Sequence, residues 1–91
     1  MYRLIFFQSK ALKKDQKKLM KDKKALLHIQ EALGRLAIDP FAGIQNVKKL
    51  IASEEATFRM RVGRWRISFD IDTVNKNIII YRIKQRQEGY D

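Results

Sequence analysis

The chain has 91 residues, 45% of them hydrophobic and 33% charged, enough apolar surface for one modest core and too much for a disordered tail. Twenty Lys and Arg against ten Asp and Glu leave a net charge of +10, a field suited to polyanions and above all to nucleic acid. With no Cys, disulfides, thiolate metal sites and a cysteine nucleophile are excluded, and no apolar run approaches the roughly 20 residues that span a bilayer, so one cytoplasmic domain over residues 1–91, away from membranes, is expected.

Tyr2 to Phe7 is an apolar and aromatic run interrupted only by Arg3, the pattern of a strand buried on both faces. Ser9 then caps a helix from Lys10 to about Asp22. Its apolar residues Leu12, Leu19 and Met20 form one stripe, while Lys10, Lys13, Lys14, Lys17, Lys18 and Lys21 cover the rest, a charged outside that serves solubility. A second helix runs from about Lys24 to Ile38, with Leu26, Ile29, Leu33 and Leu36 at alternating spacings of three and four and Ala37 four beyond Leu33. Asp39 closes it, because the residue before Pro40 is pushed out of helical geometry. Two helices joined within a few residues pack as an antiparallel pair.

Phe41 to Ala56 has no clean period and reads as a loop. Strand signals follow at Thr57–Val62, Trp65–Asp72 and about Asn77–Lys84. Gly63 and Arg64 suit a two-residue type II′ turn, which places Val62 opposite Trp65 and pairs residues whose numbers sum to 127. Met60 then meets Ile67 and Phe58 meets Phe69 on the face toward the helices. On the other face Arg61 falls opposite Arg66, and Arg59 opposite Ser68.

Like charges directly across a ladder cost a few tenths of a kcal/mol to about 1 kcal/mol unless an anion sits between them, and a phosphate is such an anion. Residue choice agrees: ten of the twelve basic residues before Ile51 are Lys, while six of the eight after it are Arg, whose planar fork grips phosphate at two points. The end of the last strand, "IKQRQEGYD", brings Arg86 and Tyr90 as further candidates for this site. His28 stands alone on the second helix and reads as a surface or packing residue, while Asp70 and Asp72 read as ion-pair partners of the arginines rather than metal ligands.

The order of strand and two helices, Asp39, Pro40, Phe41 and Gly43 after the second helix, "VKKL" from Val47 to Leu50, "FRMRVGRWRISFDID", and an ending with Arg and Tyr resembles the RelE/ParE toxin superfamily over nearly the whole chain. The resemblance implies an α+β fold, with two N-terminal antiparallel helices packed on one face of a small, mainly antiparallel four-stranded sheet in the order β-α-α-β-β-β. It also implies a toxin neutralised by a cognate antitoxin, through an acidic, partly disordered segment.

RelE-like members cut mRNA in the ribosomal A site, whereas ParE-like members inhibit DNA gyrase and cut nothing. Arg59, Arg61, Arg66, Arg86 and Tyr90 occupy positions that match the RelE-like set, which favours that branch. It implies transesterification without metal or cofactor, giving 2′,3′-cyclic phosphate and 5′-OH ends. Arg61, Arg66 and Arg86 would stabilise charge on the phosphoryl oxygens and Tyr90 would take the 2′-OH proton. Arg59, Arg64, Lys48 and Lys49 complete the expected contacts to mRNA and rRNA. Lys84, Gln85 and Arg86 stand where many ribonuclease members have Gly-His-Arg, so an imidazole is missing. Gyrase inhibition is the alternative reading, and a plain RNA-binding module a third.

Overall fold

A computed structural model describes residues 1–41, 47–49 and 58–85. Strand β1, Arg3–Phe6, leads into helix α1, Lys10–Met20, and helix α2, Lys23–Ile38. Four strands follow: β2 at Val47–Lys49, β3 at Phe58–Val62, β4 at Trp65–Asp72 and β5 at Asn77–Gln85. Both helices start where a side chain satisfies free backbone donors. The Ser9 hydroxyl accepts from the Leu12 N–H at 3.1 Å, and the Asp22 carboxylate accepts from the Ala25 N–H at 3.1 Å. Asp39, in extended geometry before Pro40, ends α2.

The strands form one sheet in the order β1-β5-β4-β3-β2. Among the described residues only β1 and β5 pair in parallel; β5 with β4, β4 with β3 and β3 with β2 are antiparallel. The expected architecture of two helices on a mainly antiparallel sheet is present, extended by β2 within the stretch that reads as a loop. Val47–Lys49 is too short for its own periodicity to declare it, and it is drawn into the sheet by the ladder edge that β3 offers.

Register between β3 and β4 follows the expected pairing: Val62 with Trp65, Arg61 with Arg66, Met60 with Ile67, Arg59 with Ser68 and Phe58 with Phe69. Gly63 turns the hairpin at φ 60°, and Arg64 keeps an ordinary negative φ, as a type II′ turn demands. The core lies between helices and sheet, where Leu12, Leu19, Ile29, Leu33 and Leu36 meet Met60, Trp65, Ile67, Phe69, Ile78, Ile80 and Ile83. Stacked Phe58 and Phe69 rings lie 5.9 Å apart within this layer.

Two expectations are corrected by this arrangement. β1 is not buried on both faces: it is the sheet's edge, helices cover one side only, and Ile5, Phe6 and Phe7 remain exposed. Met20, assigned to the apolar stripe of α1, is 66% exposed at the helix end, and the buried stripe is Leu12, Asp15 and Leu19. An acidic residue takes the middle position of that stripe.

Candidate phosphate-binding face

Alternation along β3 and β4 sends Met60, Trp65, Ile67 and Phe69 into the core and leaves Arg59, Arg61, Arg66 and Ser68 on the uncovered face. Arg61 is exposed, while Arg59 and Arg66 are half-buried. The Arg61–Arg66 rung continues onto β5, where Lys84 pairs in register with Arg66. Three cationic positions thus lie in one row across three strands, at the roughly 5 Å spacing of adjacent strands. The neighbouring row runs from Lys48 through Arg59 to Ser68.

Arg64 projects from the hairpin turn and is exposed beside this surface. Lys49 stands opposite Phe58, one position out of the Lys48–Arg59 row. Arg86 and Tyr90 lie outside the described residues, at one and five positions beyond the last residue of β5.

A different chemistry occupies the β1 side of the same face. Phe7 and Tyr81 rings approach to 5.0 Å, and Ile79 is in register with both Ile5 and Asp70. Tyr81 donates a hydrogen bond to the Asp70 carboxylate; burial, followed by the Asp70 charge and this bond, raises the phenol above its ordinary value. Asp70 is thus the acceptor for a tyrosine hydroxyl. Asp72 turns away into the β4–β5 connection, accepting from the Val74 and Asn75 N–H groups at 3.1 Å each and from the Asn75 side chain at 2.8 Å. The side-chain bond from Asn75, with the backbone bonds, holds its carboxyl below the usual range. His28 is exposed on α2.

Sequence reasoning missed Lys84 as the third member of the charged row. Its position depends on a register shift in the β4–β5 ladder between Ser68 and Phe69. It also missed the link behind the site, where Arg82 reaches α1 and pairs with Asp15 at 2.7 Å. The available signal was an acid at the spacing of Leu12 and Leu19 in a helix otherwise rich in lysine.

No helix among the described residues is long and apolar enough to cross a membrane. A family model described as the ParE toxin of type II toxin-antitoxin system, parDE, matches residues 6–90. Among solved structures, the chain is similar to one in the toxin-antitoxin complex RelBE2 from Mycobacterium tuberculosis, with 25% identity, 93% of this chain and 98% of that one covered, and a TM-score of 0.70. It shares the fold of a chain in the archaeal RelE-RelB complex from Pyrococcus horikoshii, with 22% identity, 97% and 98% coverage and a TM-score of 0.73. A comparison with curated proteins gives no match.

Proposed function

We propose, because the chain belongs to the ParE toxin family of type II toxin–antitoxin systems within the RelE/ParE superfamily, that this toxin is a ribosome-dependent mRNA endoribonuclease acting in the cytoplasm. The observation that carries this reading is the row Arg61–Arg66–Lys84 on the face that the helices leave open. Three cationic side chains in one row at strand spacing attract a phosphodiester, more so one gaining charge in a transition state.

In this reading the 2′-OH of an mRNA ribose attacks the adjacent phosphorus, the 2′-O–P bond forms as the P–O5′ bond breaks, the departing 5′-oxygen takes a proton from solvent water, and a 2′,3′-cyclic phosphate and a 5′-OH result. Arg61, Arg66 and Arg86 balance the charge that builds on the phosphoryl oxygens, and Tyr90 accepts the 2′ proton. Arginine holds its own proton to above pH 12 or so, which makes electrostatics its role here. Arg59, Arg64, Lys48 and Lys49 hold the flanking mRNA and rRNA backbone. No metal or cofactor is required by this chemistry. The whole chain, 1–91, works as one toxin domain in this account.

The RelBE2 structure named above is a toxin-antitoxin complex, which supports a cognate antitoxin as partner here. An acidic, partly disordered segment suits it: such a segment neutralises the arginine face and covers exposed Ile5 and Phe7 as it folds. A second reading, a ParE-like gyrase inhibitor without nuclease activity, is favoured by the description of the matching family model.

The two readings part on purified components. The nuclease account predicts that programmed ribosomes plus this protein release mRNA fragments with cyclic phosphate ends, and that a 2′-O-methyl group at the scissile nucleotide blocks the cut. Intact mRNA, with DNA breaks accumulating in a gyrase reaction, would favour the other.

A further inference from the structure

We propose that the groove between α1 and β5 is a second anion site, which takes the sugar–phosphate backbone of double-helical RNA; the choice of RNA rests on the nuclease reading. The groove has a volume of about 590 Å³ and is lined by Lys10, Lys14, Lys17, Lys18 and Lys21 along α1 and by Arg82 of β5. All five lysines are exposed. From Lys10 to Lys21 they form a row about 16 Å long, at roughly 1.5 Å per residue, which matches about five phosphate steps along one strand of a duplex. The lysines stand on a helix, whereas the Arg61–Arg66–Lys84 row lies on the face that the helices leave open, so the groove is a different surface from that row.

These lysines are placed against the interest of their own helix. Lys10–Lys14, Lys13–Lys17 and Lys14–Lys18 are like-charge pairs four residues apart, and each such pair destabilises a helix. Lys10 also stands in the first turn, at the positive end of the helix dipole, where no acid offsets it. The one acid of α1, Asp15, is turned to β5. Its Oδ2 accepts from Arg82 Nε at 2.7 Å and from the Ile83 N–H at 3.1 Å, and its Oδ1 accepts from Arg82 Nη2 at 3.1 Å. Arg82 is thereby fixed as one wall of the groove, and the carboxylate is engaged there rather than with the lysines. Solubility does not require a single sign of charge, since Glu and Lys mixed at the same spacing keep a helix soluble and also stabilise it. A bound polyanion turns the same row from a cost into an attraction.

The chemistry of the lining selects the ligand. It contains no aromatic side chain, so unpaired bases find no ring to stack on, and stacking is how single strands are held. Ala11 is its one apolar residue, so a disordered acidic peptide finds no anchor around which to fold. Ammonium groups on long stems act as point charges and suit a ligand that presents phosphates alone. A double helix turns its bases inward and does this along its whole length. Contacts of this kind are independent of sequence and weaken steeply with salt.

The test measures binding of the full chain to an RNA duplex of about 16 base pairs, and to a single-stranded RNA of the same length, across a salt series. The triple variant Lys10→Gln, Lys14→Gln and Lys17→Gln removes three charges and keeps helix propensity, and its Tm is expected to equal or exceed that of the wild type. It is expected to lower duplex affinity at least tenfold at the lowest salt and to leave single-strand affinity within about threefold. The logarithmic salt slope for the duplex is expected to become shallower by about 0.9 for each lysine removed. Unchanged duplex affinity and slope in the folded triple variant, or equal losses on both RNAs, overturn the inference while the nuclease reading stands. A DNA duplex of the same length, or a polyglutamate peptide, that binds more tightly than the RNA duplex through the same lysines overturns it in favour of that occupant. Cleavage on programmed ribosomes is measured separately: mRNA left whole by the wild type overturns the nuclease reading, and the choice of RNA with it.

Discussion

Gly63 illustrates how much a single residue decides in a chain this small. Its φ of 60° lies in the left-handed region, where a Cβ is strained, although open space surrounds the position. Gly63→Ala is expected to cost about 1 kcal/mol through the backbone, lowering Tm by roughly 4–8 °C, with the β3–β4 register kept. Tyr81 supplies a pH-dependent counterpart. Its phenol is raised above 10.0 in the folded protein, so the folded state holds the proton more tightly than the unfolded chain. The contribution is complete below pH 10 or so and is lost as pH rises through the folded value. Urea midpoints from pH 9 to 11.5 are expected to fall less steeply for Tyr81→Phe than for the wild type. At this scale the arginine face was readable from sequence, because strict alternation around one turn leaves a single register in which the apolar set is buried. The role of Asp72 was not readable, since it is settled by a partner chosen by the fold, Asn75.

Elements with a strong period or cap were legible in the same way. Ser9 and Asp39 marked their helix ends, and β4 showed its buried face as Trp65, Ile67 and Phe69. Phe69 and Ile67 are fully buried at the centre of the sheet, so Phe69→Ala is expected to remove about 3–5 kcal/mol in chemical denaturation, and an unchanged midpoint would contradict this core assignment. β1 was misjudged because an apolar run reports hydrophobicity and not its place in the sheet. Parallel pairing with β5 puts it at the edge, where its apolar residues wait on the open side. β2 escaped notice because three residues carry no period. The register shift in β5 left no local mark either, and with it went both Lys84 in the charged row and Asp15 behind the strand. These are long-range pairings, Asp15 being 67 residues from Arg82, and they exist only once helix and sheet have packed.

Across the whole molecule, charge is distributed with a division of labour. The +10 balance draws polyanions from any direction, while the Lys-to-Arg change along the chain concentrates forked donors on the open sheet face. Affinity for single-stranded RNA is expected to fall linearly on a logarithmic salt scale. Arg61→Ala and Arg66→Ala are each expected to make that slope shallower by about 0.7, and an unchanged slope would place the phosphate elsewhere. Such substitutions weaken contact with any polyanion and so do not separate a nuclease from a gyrase inhibitor. Tyr90 does, because only bond cleavage needs a proton acceptor. The decisive measurement is primer extension on cellular mRNA within minutes of inducing the wild-type chain or its Tyr90→Phe variant in bacteria. The account predicts new 5′ ends inside translated reading frames for the wild type and none for the variant. Growth arrest with intact mRNA, or cuts that persist without the Tyr90 hydroxyl, would contradict it.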